Sequence, residues 1–358
     1  MVRIGAAGLV GWFHIWQQSW VSPGRLEPLV RTGYVWVDMM ILLSGFCLFL
    51  PYAADAVQGL PMRSSKGFYR HRAWRILPAY FVCVAVHLAV ALVQSGWTKE
   101  LRLDLAAHLT LTQAFFAQSY WYTRLGGALW TVGILAGFYL LFPLLVKGML
   151  RFPLQTSAAM LAVQLGFSLF ALQLEGIHYQ MAFNRLPAFT GVFWLGMATA
   201  AVYARLVAMY KKGIPMLFGA GALGCFGVIF LLVKHSLLTS ENIQRWQLQF
   251  RMPLALLFAG LLLCLCLALP AANKKGLLAF FAAISYSFYL WHQSVAVWLK
   301  QARIPHWTGD IPPNQLGDSR WMHRYNLLCW AAALVVATLS FYLCEKLPAA
   351  LKARKNGR

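Results

Sequence analysis

Ten stretches of the chain stay apolar long enough to cross about 30 Å of hydrocarbon as helices. They run near residues 4–20, 33–52, 74–94, 127–147, 155–173, 183–204, 214–233, 251–270, 276–300 and 325–345. The pattern predicts an all-α polytopic membrane protein, a bundle of about ten transmembrane helices, because lipid forces each span to satisfy its own backbone. No hydrophilic stretch is long enough for a second domain and no internal repeat is visible, so residues 1–358 read as a single membrane domain. Two connections stand out. Segment 95–126 sets Asp104, His108, Gln113 and Gln118 among apolar neighbours, which predicts an interfacial or partly re-entrant amphipathic helix. Segment 301–324, rich in Pro, Asp, Trp and Arg, reads either as a flap over an opening or as an ordinary connector.

Composition sharpens this picture. The chain is 60% hydrophobic and 11% charged with a mean hydropathy of +0.60, too apolar for a soluble domain. Its basic residues are unevenly placed. The N-terminus, segments 53–75, 147–154, 205–213 and 271–275, and the stretch from Lys346 onward hold 18 of the 31 Lys and Arg. The opposite side holds the other 13 together with seven of the ten acids. The positive-inside rule therefore places both termini in the cytoplasm. The net charge of +21 then reflects topology and anionic partners such as membrane lipids. Nucleic acid is not an expected partner, since no basic stripe interleaved with stacking aromatics lies outside the spans. The seven cysteines all sit in apolar stretches without a Cys-x-x-Cys pair and read as small core residues. The first span has no small-residue cleavage site and reads as an uncleaved signal anchor.

Polar residues that break the apolar pattern carry the chemistry. His14 lies inside the first span, eleven residues after Arg3. At ~100° per residue the two share a face, about 16 Å apart. An ionisable group in a span marks a substrate path or a reacting centre, the alternative being a neutral histidine hydrogen-bonded between helices. Asp38, in the second span, lies at nearly the depth of His14. If the helices are neighbours, the carboxylate can fix the imidazole tautomer while the other nitrogen takes a proton from a hydroxyl. The alternative is that Asp38 caps its helix or pairs with Arg31. At the other face, Phe68-Tyr69-Arg70-His71-Arg72-Ala73-Trp74-Arg75 runs into the third span. Arg72 and Arg75 share a helix face, where guanidinium groups can clamp phosphate oxygens or hold lipid headgroups. His292, in the ninth span, reads as a site residue or an aromatic-belt member, and Arg185 as an anion partner or a snorkelling cation. Glu345 can pair with Arg72 or Arg75, or balance Lys346. No Walker loop, His-Glu-x-x-His, Gly-x-Ser-x-Gly or metal-spaced cluster is present, so an ATP-driven pump, a zinc protease and an α/β-hydrolase are disfavoured and no metal is expected.

Taken in order, these residues resemble the membrane-bound acyltransferase family 3, which O-acylates cell-surface sugars. The resemblance rests on Arg3 and His14, on Gly33-Tyr34-Val35-Trp36-Val37-Asp38 with Leu43-Ser44-Gly45-Phe46, and on the Phe68–Pro78 stretch. It continues through Leu129-Trp130, Phe138-Tyr139-Leu140-Leu141-Phe142-Pro143, Tyr286-Ser287-Phe288-Tyr289-Leu290-Trp291-His292 and Glu345, spanning nearly the whole chain. It implies transfer of an acyl group, usually acetyl, from cytoplasmic acetyl-CoA to a hydroxyl of an outer or lipid-linked glycan. Acyl-CoA would be a co-substrate, with no permanently bound cofactor, and the expected place is the bacterial cytoplasmic membrane. The resemblance gives His14 the catalytic role with Arg3 in support and assigns donor use to Arg72 and Arg75, with Arg70 beside them. Arg185, His292 and Trp130 are the acceptor-side candidates. One departure stands out: five residues past Trp130 the family carries a glutamate, and here the position is Leu135. The readings that remain open are direct transfer, transfer through an acyl-histidine, a transporter of a polar glycan-linked substrate, and an inactive relative.

Overall fold

The computed structural model describes residues 1–209, 215–240, 242–269 and 276–347. Of the basic stretches, residues 210–213, 271–275 and 348–358 lie outside the described residues. Among the described residues all regular structure is helical, and ten long helices account for the ten apolar stretches. In chain order they are α1 Val2–Ser19, α2 Trp36–Val57, α3 Phe68–Ser95, α4 Trp130–Arg151 and α5 Pro153–Leu172. They continue with α6 Thr190–Met209, α7 Pro215–Thr239, α8 Ile243–Ala268, α9 Leu277–Gln301 and α10 Ser319–Phe341, the last running into a π-turn over Tyr342–Lys346.

Eight of these are long and apolar enough to cross a membrane, making this a multi-pass membrane protein. The other two, α1 and α9, carry more polar side chains and pack against each other. That pairing is physically sensible, since polar groups in a span are least costly when they face protein. Two large clusters make up most of the apolar core among the described residues. Leu42, Phe46, Phe138, Phe193 and Phe258 belong to one, built mainly on α2, α4, α6 and α8. Tyr80, Val84, Phe288, Leu290 and Ala333 belong to the other, on α3, α9 and α10. Helix α1 lies at the seam, giving Ala6 and Val10 to the first and Ala7 to the second.

Glycine sets the closest approaches. A Cβ on Gly45 would strike the Phe193 carbonyl, and one on Gly196 the Leu42 carbonyl, so α2 and α6 cross backbone to backbone. A Cβ on Gly11 would lie 2.7 Å from the Phe288 ring, which brings α1 and α9 together one turn before His14. Gly196→Ala is therefore expected to destabilise the protein by about 1–3 kcal/mol through overpacking. Gly219→Ala in α7, where the added carbon meets nothing within 4 Å, should not. Denaturation of the purified proteins in mixed micelles would show the contrast.

Two boundaries shift with consequences. Helix α8 begins eight residues before the expected Arg251, with Asn242 capping the Arg245 N–H at 3.0 Å, so Arg251 lies within the helix and is fully buried. Segment 95–126 does contain an amphipathic helix, Lys99–Leu109, with Asp104 and His108 buried and Leu103, Leu109, Phe115 and Phe116 exposed. Asp104 and His108 thus point into the protein, while Lys99, Glu100 and Arg102 of the same helix are exposed. Segment 301–324 places Trp307 and Trp321 in a cluster with Ile15 of α1, covering that end of the helix next to His14.

Candidate active site

His14 meets another histidine. Its Nδ1 lies 2.9 Å from Nε2 of His292, which is completely buried on α9. The bonding pattern assigns the protons. Nδ1 of His292 lies 2.8 Å from the Tyr289 carbonyl and 3.2 Å from the Phe288 carbonyl, and carbonyls only accept, so this nitrogen carries the hydrogen. In the neutral ring Nε2 is then an acceptor, and His14 donates to it from Nδ1. The lone pair of His14 is left on Nε2, the nitrogen that can take a proton from a hydroxyl or attack a carbonyl carbon. His292 holds the ring and accepts a stronger hydrogen bond once His14 is protonated.

The expected meeting of His14 with Asp38 is corrected by this arrangement. The Asp38 oxygens go to Arg251 Nε at 3.2 Å and Gln247 Nε2 at 3.4 Å, all three side chains being buried. Arg251 also donates from Nη1 to the Phe183 carbonyl at 2.9 Å and lies between the Phe183 and Phe189 rings. A carboxylate removed from water needs such a partner, and the guanidinium supplies charge and hydrogen bonds together. Arg31, the other partner considered for Asp38, pairs with Glu27 at 3.1 Å.

The arginine-rich end of the bundle encloses a cavity of about 990 Å³. Arg3, His71, Arg72, Arg75, Glu345 and Lys346 line its mouth, where His71 and Arg75 are exposed. Arg72 is half-buried, and its Nε has no protein hydrogen-bond partner. Glu345 accepts from Ser287 Oγ at 2.8 Å and, with Arg3 and Arg75 nearby, leaves the mouth strongly positive. From there the lining follows α2 from Leu48 back to Val37, eleven residues or about 16 Å of helix. The far end is formed by Val37, Thr131, Leu135 and Tyr289.

Arg3 is thus placed with Arg72 and Arg75, one cavity length away from His14 along α1. Leu135, where the sequence resemblance expects a glutamate, faces this cavity and leaves its far half without a carboxylate. Arg70 is exposed and is not part of the lining. The structure does not bring Arg185 or Trp130 to the histidines. Arg185 lies over the Phe115 ring, and Trp130 packs against Phe189 and Tyr120. Burial pushes the Tyr120 phenol up to about 12, so it stays neutral while accepting from Asn184 at 2.7 Å.

A family model described as Acyltransferase domain matches residues 1–344. Nodulation protein 10 of Rhizobium leguminosarum bv. viciae is 31% identical over 165 residues, an alignment spanning 41% of this chain and 43% of that protein. No solved structure matches the chain.

Proposed function

This chain belongs to the acyltransferase-domain family, and on that premise we propose that it transfers an acetyl group from cytoplasmic acetyl-CoA to a hydroxyl of an outer or lipid-linked glycan. The membrane is the bacterial cytoplasmic membrane, with both termini inside. The observation that carries this reading is the cavity itself, cationic at its mouth and mostly apolar above, whose lining includes Tyr289, one turn of α9 from His292. Arg72, Arg75, Arg3 and Lys346 suit the phosphates of the donor, and the depth of the cavity suits a flexible arm that carries a thioester inward. His14 Nε2 takes the proton of the sugar hydroxyl as its oxygen forms the new C–O bond. The C–S bond breaks and the proton passes to the departing thiolate, leaving free CoA and an ester.

The test uses the purified, reconstituted protein with labelled acetyl-CoA and a glycan-lipid acceptor. Label should appear in an alkali-labile ester. Arg72→Ala and Arg75→Ala should each raise the donor KM by about 10–100-fold, the worth of a charge-assisted hydrogen bond. Donor binding has a second readout, because Cys47 is exposed and lines the cavity beside these arginines. CoA should protect it from maleimide. Turnover without any change in donor KM in both arginine variants would remove the phosphates from this mouth. Leu135 supports the reading of an altered relative; Leu135→Glu activating an otherwise inert wild type would establish that reading in place of the enzyme.

A further inference from the structure

The cavity stops short of the histidines, and the Tyr289 ring borders it at that end. Along α9 its lining follows Ala282, Ala283, Tyr286 and Tyr289, and His292 lies one turn beyond Tyr289, about 60° further round the helix. Along α1 the stripe that begins with Arg3 returns at His14. The face of Arg3 leads to His14, and Tyr289 is one turn from His292, yet neither histidine lines the cavity. The Tyr289 side chain, 3% exposed, lines the cavity with its ring centroid 5.5 Å from that of His292. Its hydroxyl donates to the Ala128 carbonyl at 3.3 Å, in the short turn Gly127–Leu129 that leads into α4. The other residues at this end are Val37, Met40, Ile41, Thr131 and Leu135, and every charged lining residue is at the mouth.

We infer that Tyr289 sets the length of the acyl group this protein transfers, admitting acetyl and excluding longer chains. The inference rests on the donor reading given above. For transfer, the thioester carbon must come within reaction distance of the hydroxyl that His14 deprotonates, about 3–3.5 Å. The sulfur therefore lies at the far end of the cavity, and whatever extends beyond the carbonyl carbon must fit there too. A methyl group fits beside the phenol ring. A third or fourth carbon meets the ring, which is held by its hydrogen bond to the Ala128 carbonyl and its contact with His292. The remaining wall is apolar, so the exclusion is steric and shortening Tyr289 converts a barrier into a site that welcomes methylenes.

Reconstituted wild type, Tyr289→Ala and Tyr289→Phe are compared with acetyl-, butyryl- and octanoyl-CoA in competition. Tyr289→Ala is expected to raise the butyryl-to-acetyl ratio of kcat/KM by about 10-fold or more, in line with the worth of one or two methylenes in an apolar pocket. Tyr289→Phe keeps the ring and is expected to keep the wild-type ratio. Where the alanine variant does not fold, Tyr289→Leu replaces it with the same expected direction. Protection of Cys47 by CoA reports that the cavity is intact. A Tyr289→Ala ratio equal to that of wild type overturns the assignment, as does a wild type that already prefers octanoyl. Equal loss of all three donors with Cys47 still protected would make Tyr289 a positioning group for the reaction and overturns it as well. A wild type that uses none of the three donors refutes the donor reading itself, and the inference falls with it.

Discussion

Replacing His14 by alanine is expected to slow acyl transfer by about 10²–10⁴-fold, the usual worth of a positioned general base. The loss should fall on kcat. His14 is not part of the cavity lining, so donor KM and CoA protection of Cys47 should stay near wild type. His292 makes a graded companion test. It contributes one hydrogen bond to the Nδ1 of His14, and that bond becomes charge-assisted only after the proton has moved. Such a bond is worth about 1.5–3 kcal/mol, which corresponds to roughly 10–100-fold in rate. His292→Leu should lose that much, and His292→Gln, whose side-chain oxygen can still accept, should recover part of it. Labelled acetyl-CoA without acceptor distinguishes the two routes to product: label held stably on His14 means an acyl-histidine, and its absence means direct transfer. Wild-type rates in His14→Ala would dismiss the histidine as the reacting centre. A neutral His292→Leu would leave its ring as packing alone.

The order and place of the helices were legible because long apolar runs have few alternatives in a membrane, and the ten expected spans coincide with ten long helices. Residue count along a helix gives distance along its axis, which is why Arg3 and His14 are separated by the length expected. What residue count cannot give is azimuth. The partners of His14 and Asp38 depend on which helix faces which. That choice is made by small residues such as Gly11, which lets α9 approach α1 and brings His292 to His14. The partner of Asp38 was hidden by its own charge, because Arg251 read as the edge of a span when it is two turns inside one. A signal was present in Gln247 and Arg251, four residues apart and so on one face of α8. Arg3 shows the same limit from the other side: sharing a face with His14 did not mean touching it.

The second large effect is expected at the Asp38–Arg251 pair, where a double replacement separates structure from chemistry. Arg251→Met leaves a carboxylate buried among apolar groups, and Asp38→Leu leaves an unpaired guanidinium between two phenylalanine rings. Each single change should cost about 3–5 kcal/mol of stability, because a stranded buried charge costs more than the intact pair contributes. Removing both charges together avoids that penalty. The double variant should therefore be more stable than either single one, short of wild type by about 1–3 kcal/mol for the Phe183 carbonyl that loses its donor. Ala188, the other carbonyl that Arg251 reaches, keeps a hydrogen bond from Gln164. Activity then decides the role of Asp38. If it only ties α2 to α8 and to the turn before α6, the double variant, once folded, should transfer acetyl within about 10-fold of wild type, a change of 1.4 kcal/mol in the barrier. If it is well folded by thermal melting yet as inert as His14→Ala, Asp38 takes part in the chemistry. The His14–His292 pair would then be an incomplete account of the reacting centre.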